Sequence, residues 1–114
     1  MKKFIVIYHA PDELMQQSQS ASPKEQEKGM EAWMAWAEKC GDKLADLGAP
    51  LANGQRLQQG GKSANSDRNV VGYSVLQAEN LEEAKKLLQD HPHLEWDGAC
   101  SIEVHETLPL PGMG

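Results

Sequence analysis

Lys3-Phe4-Ile5-Val6-Ile7-Tyr8-His9 is the stretch on which the fold turns. From Phe4 to Tyr8 every residue is apolar or aromatic, so both faces of an extended chain would be apolar, and β-branched and aromatic types favour strands. The stretch predicts a central strand covered on both sides. Val70-Val71-Gly72-Tyr73-Ser74-Val75-Leu76-Gln77 has the same character and predicts a second central strand, with Gly72 leaving room for another backbone. Residues 99–107 alternate instead. Cys100, Ile102 and Val104 fall on one face and Ser101, Glu103 and His105 on the other, as in a strand with one apolar and one polar side.

Between these strands the period changes. Ser22, Pro23 and Glu25 supply an N-cap, a proline at the first helical position and an acid at the third. Met30, Trp33, Ala37, Cys40, Leu44 and Leu47 then recur at steps of three and four, which predicts one helix running to Gly48 and Pro50 with Cys40 in the core. Trp36 sits at the edge of that stripe, either completing the core or covering a pocket or subunit contact. Asn80 and Glu83 open a second helix over residues 80–91, with Leu81, Ala84, Leu87, Leu88 and His91 on one face up to Pro92. Residues 10–22 read as a polar loop with a short turn after Pro11. Residues 51–57 read as a short edge strand, although Asn53-Gly54 fits a turn or bulge equally well. Residues 58–69 read as a polar loop of a length that is usually mobile or functional, and Trp96-Asp97-Gly98 as a turn into the last strand.

The order βαββαβ predicts an α+β, ferredoxin-like sandwich: a four-stranded antiparallel sheet with two helices on one face and the first and third strands central. Leaving the other face of such apolar strands in water would expose a contiguous patch that soluble monomers rarely carry. A homodimer with sheets packed face to face is therefore expected. Residues 1–107 form a single domain in this reading, and residues 108–114 an extended, proline-rich tail. The tail either follows a neighbour or runs into solvent.

Composition removes several functional classes. A chain of 114 residues is normally one domain, and eleven Lys and Arg against seventeen Asp and Glu give a net charge of −6. Such a surface repels phosphate backbones and anionic lipid, so neither nucleic acid nor membrane is an expected partner. The Phe4 to Tyr8 run is shorter than a signal peptide's apolar region of about 7 to 15 residues, and a cytoplasmic protein is expected. Cys40 and Cys100 read as reduced, small apolar positions rather than a disulfide. Gly60-Gly61-Lys62-Ser63 echoes a phosphate loop, but Arg56 stands where its upstream glycine would be. No dinucleotide fingerprint, CxxC or nucleophile elbow occurs, so no cofactor is expected.

Together, Lys3-Phe4-Ile5-Val6-Ile7-Tyr8, Met30-Glu31-Ala32-Trp33, and Asp90-His91-Pro92-His93-Leu94 running on to Ser101-Ile102-Glu103-Val104-His105-Glu106 resemble the YCII-related, or DGPF-type, domain family. The resemblance covers nearly the whole chain and implies the dimeric α/β barrel form of the sandwich. It implies no reaction, because most of the family has no assigned activity. Two departures stand out. The Asp-Gly-Pro-Phe string of one branch is absent from residues 58–69. The other branch pairs a helix-one histidine with a helix-end Asp-Pro as acid and base, whereas here helix one has no histidine and the Asp-Pro position reads His91-Pro92, with Asp90 one place earlier.

Chemistry-bearing residues gather at the strand ends. Glu103 and His105 are two apart on one strand and share a face, where a carboxylate beside an imidazole can orient a general base near neutral pH. His9 ends the neighbouring strand and joins them if its parity matches, with Tyr8 assisting. The alternative for all of these is a polar rim touching water or a partner. Tyr8, His91, His93, Trp96 and Asp97 are the residues expected to line a ligand cavity. His91 and His93 with Asp90, Glu95 or Asp97 come closest to a metal set, yet match no metal-ligand spacing, and no metal is expected. Two functions follow: a module binding a small organic molecule in a dimer-barrel cavity, or a cofactor-independent isomerase or lyase using His105 and Glu103.

Overall fold

The computed structural model describes residues 1–112. Along the chain run β1 (Lys2–His9), α1 (Asp12–Gln19), α2 (Pro23–Cys40), β2 (Leu44–Pro50), β3 (Gln55–Gln58), β4 (Lys62–Asn65), β5 (Val70–Ala78), α3 (Leu81–Leu88), α4 (Pro92–Trp96) and β6 (Ser101–Glu106). Four strands form one antiparallel sheet in the order β2-β5-β1-β6. The α+β, ferredoxin-like sandwich expected from the sequence is present, with the two apolar strands β1 and β5 in the middle.

One face of the sheet is a closed core. Phe4, Val6 and Tyr8 of β1 and Leu76 and Ala78 of β5 pack against Trp36 and Cys40 of α2 and Ala84 and Leu88 of α3. Hydrogen bonds fix the layers: the Trp36 indole N–H donates to the Leu87 carbonyl (2.8 Å), tying α2 to α3. Beneath it the Tyr8 hydroxyl donates to Ser74 Oγ (2.8 Å), which donates to the Leu47 carbonyl (2.6 Å) and so joins β1, β5 and β2. The alternate side chains, among them Ile5, Ile7, Tyr73 and Val75, lie on the outer face and are only half-buried.

Both helix starts follow the caps. Ser22 accepts from the Glu25 N–H (3.2 Å), and Asn80 from the Glu83 N–H (2.9 Å). The end of α2 differs from expectation. The helix stops at Cys40 because Gly41 takes φ 60°, ψ −131°, a conformation open to glycine alone, and a single 3-10 turn (Gly41–Lys43) leads into β2. Leu44 and Leu47 therefore continue the helical stripe in spacing only; they reach the core from a strand, across irregularities in the β2–β5 register. Gly48 is no helix stop. It lies inside β2 at φ 82°, where a Cβ would sit 1.8 Å from the Tyr73 carbonyl oxygen, so glycine is what lets β2 lie against β5.

Three further expectations are corrected. Residues 12–19, read as loop, form α1, a helix without a side-chain cap that buries no residue fully. The edge strand lies at Leu44–Pro50 rather than at residues 51–57, and the polar stretch after it folds into the β3–β4 hairpin. Trp36, read as an edge residue, is 5% exposed, whereas Met30, read as core, is 54% exposed. The buried face of α2 centres on Trp36 and Cys40. Met113 and Gly114 of the expected tail lie outside the described residues.

Candidate functional site

The β1–β6 register settles the parity of His9. Ile5 stands opposite His105, Ile7 opposite Glu103 and His9 opposite Ser101, and directly opposed side chains share a face. His9, Glu103 and His105 thus meet on the outer face, at the edge of the sheet. The His105 Nε2–H donates to Glu103 Oε1 (2.9 Å), and the other carboxylate oxygen lies 3.6 Å from His9 Nε2. The bond from His105 holds the Glu103 carboxyl below its ordinary range, so it sits there ionised.

His9 is held from two sides. Its Nδ1–H donates to the Arg68 carbonyl (2.7 Å), and since a carbonyl only accepts, Nδ1 carries a proton. Nε2 is then shielded from water without a hydrogen-bond partner. The backbone beside it is pinned by Ala10 N–H donating to the Asn69 carbonyl (3.0 Å), with Asn69 in the left-handed region at φ 58°. Here a cleft of about 320 Å³ opens between the end of β1 and the start of β5, lined by His9, Pro11, Arg68, Asn69, Ser101 and Glu103.

The other two histidines support this site from the opposite face. The His93 Nε2–H donates to the His9 carbonyl (2.8 Å), and the His93 N–H donates to His91 Nδ1 (3.0 Å), making His91 the N-cap of α4. The His91 ring lies between Trp33 and Trp36, with centroids 4.4 and 4.3 Å away, and 5.0 Å from Tyr8. Burial, aided by the nearby His93, pushes its pKa down to about 3, so it is neutral with its proton on Nε2, directed among aromatic rings. Burial likewise lowers His93 and pushes the Tyr8 hydroxyl up to about 12.

Of the residues expected to line a cavity, Tyr8, His91 and His93 are closed off from solvent on the helix side of the sheet and present no atom to the cleft. Their strand parity and the α4 cap turn them inward. Trp96 is 43% exposed, 6.2 Å from the His93 ring, and Asp97 closes the turn by accepting from the Ala99 N–H (2.8 Å). Arg68 and Asn69, which wall the cleft, were singled out by no motif; the length of the polar stretch holding them was the one signal. Cys40 and Cys100 are free, buried thiols, and burial raises both.

A two-layer sandwich with a polar cleft at the end of its first strand defines a small α+β fold rather than any one chemistry. The family model of the YCII-related domain matches residues 1–107, and the chain belongs to that family. Among curated proteins none matches the chain. No helix among the described residues is long and apolar enough to cross a membrane.

Proposed function

We propose that the protein is a cytoplasmic homodimer that binds a small polar organic molecule at the His9–Glu103 cleft, with the outer sheet face covered by the sheet of a second copy. One observation carries the binding reading: His9 Nε2 is buried, unpartnered and set beside an ionised carboxylate at the cleft. A buried imidazole nitrogen left without a partner costs on the order of 1 to 3 kcal/mol, which a ligand hydroxyl or amino group donating to Nε2 would recover. Half-buried Ile5, Ile7, Tyr73 and Val75 on the same face support the dimer. Reduced, buried Cys40 and Cys100 support the compartment.

A second reading has its own observation. His9, Glu103 and His105 form a continuous run of titratable groups, and a carboxylate that orients one imidazole while facing another can relay a proton in an isomerase or lyase step. A thermal-shift screen of small carboxylic, hydroxy and keto acids, run with native mass spectrometry of the purified chain, tests both. At least one compound should raise Tm in the wild type and not in His9→Gln. A ligand present at about a hundred times its Kd adds about 2.7 kcal/mol, a shift of several degrees. Binding that survives Glu103→Gln while turnover vanishes selects the enzyme; binding without turnover in either selects the module. No shift with any compound, and no co-purified mass, would sink the cleft as a binding site.

A further inference from the structure

The β3–β4 hairpin is built unlike the rest of the fold. Its two strands pair with each other in a separate sheet, and all eight strand residues are exposed. Leu57, at 79%, is the most exposed large apolar residue described. A lone two-stranded hairpin is marginal in water. Its base is nevertheless fastened: the Ser66 N–H donates to the Gly54 carbonyl (2.9 Å), the Gln55 amide donates to Asn65 (2.9 Å), and Arg56 approaches Asp67 (3.6 Å). The structure thus holds a firm stem carrying an arm whose strand residues are all exposed.

Charge and shape say what the arm meets. Residues 55–65 contain Arg56 and Lys62 and no acid, in a chain whose net charge is −6. Among the described residues Lys62 has no ion pair. A cationic arm on an acidic protein is complementary to another molecule of the same protein. The radius of gyration points the same way: 15.8 Å, with extents of 50 × 44 × 21 Å, against about 13 Å for a compact domain of this length.

We propose that the hairpin is an arm that lies on a second copy of the chain, burying Leu57 against it and setting Lys62 among its acidic side chains. This rests on the homodimer reading and adds the element that clasps the pair. From the stem the chain passes through Arg68 and Asn69, the wall of the cleft, so a docked arm also fixes that wall. Sedimentation equilibrium on the full chain, paired with hydrogen exchange, tests it. Leu57→Glu should raise the dimer dissociation constant at least about tenfold while far-UV circular dichroism stays unchanged, and Leu57→Met should restore wild-type association. In the wild type, amides of residues 55–65 should gain protection as concentration rises. A wild-type dimer whose dissociation constant is the same in Leu57→Glu, with arm amides that exchange freely, overturns the arm and leaves the dimer standing. A wild-type chain that stays monomeric at every concentration overturns both.

Discussion

The two faces of β1 carry opposite solutions to the same alternation. Phe4, Val6 and Tyr8 face the helices and are essentially inaccessible, whereas Ile5, Ile7 and His9, one step out of phase, are only half-buried. On the helix side most polar groups are internal and satisfied by one another, Tyr8 by Ser74, Ser74 by Leu47 and Trp36 by Leu87, while the His91 Nε2–H is left among aromatic rings. On the outer side a polar nitrogen is left over, His9 Nε2, next to a carboxylate. The inner face closes as a core packed against the helices, whereas the outer face keeps half-buried apolar side chains beside a polar cleft.

The largest expected effect separates the faces directly. Phe4→Ala should cost about 3 to 5 kcal/mol in urea unfolding at any protein concentration, because the cavity is internal. Ile5→Ala should cost about 1 kcal/mol in the isolated chain, and the proposed dimer predicts a larger cost as concentration rises. Equal, concentration-independent costs would erase the distinction.

A pH series sharpens the same contrast. His91 titrates near 3 in the folded chain and near 6.5 unfolded, so as pH falls the unfolded chain takes up the proton first. The stability that neutral His91 confers is complete above about pH 6.5 and drains away between there and pH 3, on the order of 3 kcal/mol after allowance for relaxation. Protonating Nδ1 also removes the acceptor that caps α4. Asparagine caps helices well, so His91→Asn should keep the cap and lose this component: the difference in unfolding free energy between pH 7 and pH 4 should shrink. His93, shifted the same way, leaves a residue of the slope. An unchanged pH profile would mean that the inner histidine is not insulated as its surroundings indicate.

A smaller effect than that of the inner histidine concerns the seam between helices. Trp36→Phe keeps most of the ring but orphans the Leu87 carbonyl, and should cost about 1 to 2 kcal/mol with no change in the pH profile. A cost near zero would show that water reaches this carbonyl and that the inner face is less dry than its packing suggests.

Much of this architecture is written locally. A run apolar on both parities from Phe4 to Tyr8, and its counterpart from Val70, placed the two middle strands, and side-chain oxygens at Ser22 and Asn80 placed two helix starts. These signals involve neighbours in sequence, whose geometry is fixed by the backbone period. The pairing of Glu103 with His105 is of the same kind, two residues apart on one strand.

What the sequence could not decide depends on distance. Leu44 and Leu47 fit a helical stripe and a bulged strand alike, and contact with β5, admitted by Gly48, chose the strand. His9 joined Glu103 because of the β1–β6 register, a relation between residues almost a whole chain apart, and Arg68 came beside them through the fold of a segment with no motif. His91 and His93, alike in sequence to the outer histidines, were turned inward by the α4 cap and the aromatic packing over Tyr8. Local periods set which residues share an element; only the packing of elements, through hydrogen-bond register and burial, set which histidines became core and which reached the outer face.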